Sequence, residues 1–237
     1  AGNYIFTDQA NATADITAKA ITVSGITAAN KVYDGFTAAT VNTSGAFGWL
    51  ADDTVTVAST GVFDDKNVGT GKTVSLTSSY SGIDAGNYIF TDQANATADI
   101  TAKELVISGI SVQSKVYDGN TNATVSGSAQ ITDGAATFSD GLFYTGDSVN
   151  IVGAVSVANF ASKNVGIQSV TGLTGLSLDG IDRANYRLAS LSETAAITAK
   201  AITVSGITAA NKVYDGVTAA TVNTSGASGT VIAFAVI

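Results

Sequence analysis

An all-β chain is expected, assembled from tandem immunoglobulin-like β-sandwich modules arranged as beads on a string. Three observations lead there. Thr, Ser, Val, Ala and Gly dominate the 237 residues and only 13% are charged, a mixture that suits strands joined by polar turns better than long helices. Short runs rich in Val, Ile, Thr or Tyr recur at 20–24, 31–33, 38–41, 54–58, 73–77, 87–90 and 97–101, punctuated by Ser-Gly, Asp-Gly and Asn/Gly signals. Such spacing of short strands is that of a two-sheet sandwich of immunoglobulin size. Finally, the chain repeats itself over a period long enough for each unit to close its own core, unlike the short period of a solenoid.

The repeat sets the boundaries. Residues 1–19 (AGNYIFTDQANATADITAK) recur unchanged at 85–103, and 19–46 recur at 200–227 with only Phe36 replaced, by Val217. A diverged copy of that second stretch begins at Lys103 (KELVISGISVQSKVYDG). The chain thus divides into the tail of a preceding repeat (1–18), a complete repeat (19–102), a longer complete repeat (103–199) and a truncated head (200–237). The second repeat is longer between its Tyr-Asp-Gly glycine and its Lys-Asn-Val-Gly lysine, at 119 and 163 against 35 and 66. An insertion around 132–144 accounts for the excess. As a surface loop bearing Phe138, Leu142, Phe143 and Tyr144, it is a candidate contact surface.

Within each strand, alternation in Ile21-Thr22-Val23 and Val55-Thr56-Val57 predicts one buried and one hydroxyl-bearing face. Without proline, every tight turn falls to Gly, Asn, Asp or Ser.

Composition also narrows function. The chain has no cysteine and no histidine, which removes disulfides, thiolate chemistry and the usual routes to zinc binding and nucleophilic catalysis. With 11 basic against 19 acidic residues and a net charge of −8, no basic patch is available for a phosphate backbone, so nucleic acid is excluded as a partner. No signal-like segment opens the chain, and the closing run 230–237 is too short to span a bilayer. The carboxylates fall in turns, and duplicated units argue against a single active site, so no enzyme is expected.

Lys-Val-Tyr-Asp-Gly occurs three times: Lys31, Tyr33, Asp34 and Gly35; Lys115, Tyr117, Asp118 and Gly119; Lys212, Tyr214, Asp215 and Gly216. The Asp-Gly pair suits a tight turn and the tyrosine offers area to bury, so a structural role is expected. The competing reading makes Tyr and the nearby Lys a repeated carbohydrate-stacking surface. Asn-Tyr at 3–4, 87–88 and 185–186 is read as the start of a late strand. Asp52, Asp53, Asp64, Asp65 and Asp84 are the candidates for a calcium ion, although no dense Asp-x-Asp-x-Asp loop occurs. Lys19, Lys31 and Lys66 are candidates for an intramolecular isopeptide cross-link.

Taken with Lys-Asn-Val-Gly (66–69, 163–166) and Gly-Ile-Asp-x-x-Asn-Tyr (82–88, 180–186), the motif resembles the YDG domains repeated in bacterial haemagglutinin-like and filamentous-haemagglutinin-related surface adhesins. The resemblance implies a secreted or cell-surface protein and no particular ligand. After Gly229 the chain departs from the pattern. The expected function is a structural spacer that carries a binding region away from the cell. Two alternatives stand beside it: modules that themselves bind glycans or matrix in aggregation and biofilm, and a filament subunit in which strand 11–17 pairs with another copy.

Overall fold

The computed structural model describes residues 2–155 and 157–229, and their regular secondary structure is β apart from two single 3-10 turns, Ala85–Asn87 and Arg183–Asn185. The run 230–237, and with it the departure after Gly229, lies outside the described residues. In the first repeat the strands are β1 (Lys19–Thr22), β2 (Thr27–Ala28), β3 (Lys31–Val32), β4 (Ala38–Ala39), β5 (Val41–Asn42), β6 (Thr56–Phe63), β7 (Gly69–Ser81), β8 (Tyr88–Thr91) and β9 (Asn95–Thr101). The second repeat follows with β10 (Lys103–Leu105), β11 (Ser108–Val112), β12 (Lys115–Val116), β13 (Val125–Gln130), β14 (Asn150–Gly153), β15 (Asn159–Phe160), β16 (Gly166–Thr171), β17 (Leu176–Asp179), β18 (Tyr186–Leu188) and β19 (Glu193–Thr198). The head 200–229 adds β20 (Val204–Ser205), β21 (Thr208–Ala209), β22 (Val222–Asn223) and β23 (Ser228–Gly229). Residues 4–18 form no strand, including 11–17.

Packing sorts these strands into two compact units, and the first draws on both repeats. It comprises Ala1–Leu105, Thr132–Val149 and Gly180–Arg187; the other comprises Val106–Ile131, Asn150–Asp179 and Leu188–Ile237.

The first unit is organised by a five-stranded sheet in the order β3-β9-β7-β6-β4. β6 and β7 form a long antiparallel hairpin from Thr56↔Ser81 to Phe63↔Val74, β9 lies antiparallel to β7, and β3 joins parallel to β9 with Lys31 opposite Ile100. β1 pairs parallel with β8, and β10 pairs with β18. Strand alternation decides what is buried. Phe63, Val74, Leu76, Ala98 and Ile100 are buried while Thr73, Ser75, Thr97 and Thr101 between them face out. The predicted alternation in β1 holds, with Ile21 and Val23 buried and Thr22 exposed. Each large apolar side chain so covered contributes roughly 1.5–3 kcal/mol.

The second unit repeats this plan with the sheet β12-β19-β16-β15, in which β12 is again parallel to β19, with Lys115 opposite Ile197. Its core is Ala158, Phe160, Val170, Ala195 and Ile197, flanked by half-buried Val112, Tyr117, Val125 and Leu173. The long hairpin of the first repeat is divided here into β14–β17 and β15–β16, with a separate Val157–Leu173 bridge between the two ladders. The head reproduces the β2–β5 pairing as β21–β22, with all of its described side chains exposed.

Some Ser-Gly pairs do more than turn the chain. At Gly25, with φ +88°, an added Cβ would lie 2.0 Å from the Gly45 carbonyl oxygen, so two backbones approach there closely enough to admit only glycine.

Candidate functional site

Each Lys-x-Tyr-Asp-Gly motif builds a self-contained turn. Gly35, Gly119 and Gly216 sit at φ +81°, +86° and +78°, the left-handed region that glycine enters without steric cost. Asp34 Oδ1 accepts from the Phe36 amide at 2.9 Å and from Lys31 Nζ at 2.7 Å, while the same ammonium donates to the carbonyls of Phe36 and Ala38 at 2.7 and 3.0 Å. Lys115 does the same with Asp118 and the carbonyls of Asn120 and Asn122, and Lys212 with Asp215 and the carbonyl of Val217. The lysine therefore satisfies carbonyls of the turn and of the segment that follows it. It also lies over an aromatic ring, Phe63 for Lys31 and Phe160 for Lys115. This clamp was not read from the sequence, although the fixed spacing of Lys three residues before Asp in all three copies was a usable signal.

The tyrosine of the first motif belongs to a polar cluster inside the first unit. Tyr33 is 0% exposed. Its ring meets Tyr186 and Tyr144 edge-on at centroid distances of 5.3 and 6.0 Å. The phenols of Tyr33 and Tyr186 both donate to Asp147 Oδ2, at 2.8 and 2.6 Å, and Lys66 Nζ donates to Asp147 Oδ1 at 3.1 Å. Asn185, 2% exposed, accepts from the Val68 amide at 2.9 Å and donates to Asn67 Oδ1 at 3.1 Å. Thus the Tyr-Asp-Gly and Lys-Asn-Val-Gly segments of the first repeat are joined to the Asp147 and Asn-Tyr segments of the second.

Electrostatics follow from this geometry. Burial, reinforced by Asp147, pushes the Tyr33 phenol up to about 12, and burial with the Asp147 hydrogen bond raises Tyr186 further. Burial alone would raise the Asp147 carboxyl, but donation from Tyr186, Tyr33 and Lys66 outweighs it and holds it below the usual carboxylate range. The neighbouring Tyr33 phenol and the Asp147 carboxylate hold the Lys66 ammonium above the ordinary lysine range.

The insertion around 132–144 contributes a second ion pair. Lys103, 0% exposed, donates to Asp140 Oδ1 at 2.6 Å and lies over the Tyr144 ring. Asp140 also accepts from the amides of Ala136, Thr137 and Leu142, and with Lys103 these hold its carboxyl well below the usual range. In the candidate contact loop Leu142, Phe143 and Tyr144 are half-buried and Phe138 stays exposed. Its aromatic content therefore serves packing as well as surface.

The calcium candidates are dispersed. Asp53 accepts from the Tyr88 phenol, Asp84 from the Thr54 amide, Asp64 and Asp65 pair with Lys72, and Asp52 is exposed. Among the described residues no three acidic side chains converge on a metal position. Of the cross-link candidates, Lys19 is exposed and Lys31 clamps its turn; only Lys66 faces a carboxylate of another segment, Asp147. No helix among the described residues is long and apolar enough to cross a membrane.

Fold and site together define an all-β repeat protein whose recurring residues build turns and, in the first repeat, join its motifs to those of the second. The chain belongs to the YDG domain family, which matches residues 17–97 and 101–195. Searches of curated proteins and of solved structures find no match.

Proposed function

We propose that these repeats are structural stalk or spacer modules of a secreted bacterial surface adhesin, extending a binding region from the cell, and that the chain is not an enzyme. The observation that carries this reading is the Tyr33–Asp147–Tyr186–Lys66 cluster. It commits the most recognisable residues of one repeat to the next, leaving them to hold a tandem array in register. A spacer needs that, whereas a binding module would present the same residues outward. Family membership supports the repeat character of the array.

Small-angle scattering at dilute concentration tests the reading, with calcium and with chelator. A stiff, elongated particle is the expected result, and a particle as flexible as an unstructured linker would defeat it. The alternative of glycan- or matrix-binding modules is separated by a glycan screen of the same fragment, where sugar-specific capture would favour it.

Strand exchange has one observation in its favour. Residues 2–18 are exposed and form no strand, yet the identical residues 86–102 form β8 and β9. If copies exchange this segment, a peptide of residues 2–18 added in excess will compete and shorten the assemblies.

A further inference from the structure

The second repeat's frame around Asp147 recurs in the first repeat, hydrogen bond for hydrogen bond. The Tyr144 amide donates to the Tyr186 phenol at 3.0 Å, that phenol donates to Asp147, and the Ser148 amide donates to Asp182 at 2.8 Å. In the first repeat the Leu50 amide donates to the Tyr88 phenol at 3.1 Å, that phenol donates to Asp53, and the Thr54 amide donates to Asp84 at 2.8 Å. The two phenols are buried alike, Tyr88 at 7% and Tyr186 at 5%, and what differs is the covering at the rim. Asn185 is sealed by the Val68 amide, but its counterpart Asn87 is exposed, and Leu50, the counterpart of Tyr144, is 54% exposed. Asp53 Oδ2 takes Tyr88 as Asp147 Oδ2 takes Tyr186, so Asp53 Oδ1 corresponds to the oxygen that Lys66 occupies on Asp147.

The complementary element is also duplicated. The Tyr117 amide donates to the Thr198 carbonyl at 2.8 Å as the Tyr33 amide does to Thr101 at 2.8 Å, and Lys115 and Lys31 hold matching registers on their sheets. Lys163-Asn164-Val165-Gly166 repeats the segment Lys66–Gly69, and Lys163, Asn164 and Val165 are all exposed.

We propose that the Asp53–Tyr88–Asn87 face docks a second copy of this chain through that copy's Tyr117 and Lys163, reproducing between molecules the contact that Tyr33 and Lys66 make on Asp147. The two faces are different surfaces, so the contact is heterologous and propagates head to tail instead of closing a pair. Charge complementarity sets its register: Lys163 meets Asp53, and the Asn87 side chain accepts from the Val165 amide. Between separate molecules it lacks the millimolar effective concentration that chain connection supplies, so association appears only in concentrated solution.

Sedimentation velocity up to millimolar concentration, with zero-length carbodiimide cross-linking and peptide mapping, tests this. Wild type should gain mass with concentration and yield a Lys163–Asp53 cross-linked peptide between copies. Asp53→Lys or Lys163→Asp alone should weaken association by at least about tenfold, because each sets like charges against each other. Mixing the two variants should restore it, since each then offers the charge the other lacks. Wild type that stays monomeric, association that survives both reversals, or an unrestored mixture overturns the proposal. Should Asp53→Lys fail to fold, the exposed Lys163→Asp decides alone: undiminished association in that variant is sufficient to reject it. Unlike the spacer reading, which concerns stiffness within one chain, the outcome depends only on association between chains.

Discussion

Tyr33 and Tyr117 stand in identical five-residue motifs, on equivalent strands, with the same turn and the same backbone hydrogen bond, yet one is sealed and the other only half-covered. Tyr214, in the third copy, is 93% exposed. The motif therefore encodes a turn and a direction for the ring. Whether the ring is buried depends on residues that arrive more than a hundred positions later, such as Asp147 and Tyr186, which cover Tyr33 within the first unit.

The comparison can be broken by truncation. Tyr33→Ala should cost about 3–5 kcal/mol in the first unit, as for other buried aromatics. Tyr117→Ala should cost distinctly less, and urea denaturation followed by circular dichroism measures both. Equal losses would mean that covering adds nothing to the motif.

Lys103 and Lys19 extend the contrast, since both open their repeats but only Lys103 is buried against Asp140. Lys103→Met should lower the melting temperature by several degrees through loss of a charge-assisted hydrogen bond, while Lys19→Met leaves it unchanged. A matching drop for both would show that the insertion loop is not what buries the lysine.

pH sharpens the comparison from both ends. Tyr33 keeps its proton longer folded than unfolded, so its contribution is complete below pH about 10 and is lost as pH rises towards about 12. Absorbance of tyrosinate near 295 nm should show alkaline unfolding over that window, and Tyr33→Phe should make the loss less steep. For Asp147 the sign reverses. Its carboxyl is held low, so its contribution is complete above the unfolded value near 4 and disappears as pH falls below it. Asp147→Asn should flatten the acid limb of the stability curve, and an unchanged limb would assign acid sensitivity elsewhere.

The smallest effect belongs to Tyr214→Ala, expected within about 0.5 kcal/mol of wild type because the ring is exposed. A larger loss in the same denaturation assay would require a role for the third motif that its exposure does not suggest.

Much of this was legible in the chain itself. Period-2 alternation reads β1 and the start of β6 because pleated strands place successive side chains on opposite faces, and the run at 73–77 falls within β7. The run at 38–41, by contrast, is two short strands, β4 and β5, and β2 was not foreseen, because two-residue strands carry no alternation to detect. Asp-Gly announces the turn, and the fixed Lys-to-Asp spacing could have announced its clamp.

Composition, period and turn chemistry are local properties, so the sequence by itself determined that the protein is all-β, where its repeats begin and how each motif turns. Tertiary structure alone decided which copy of a motif is buried, that Lys66 and Tyr33 share Asp147, and that an insertion loop supplies the carboxylate for Lys103. These are contacts between segments far apart in the chain. Burial and pairing there depend on which surfaces meet once the strands have formed, and identical motifs cannot encode different answers.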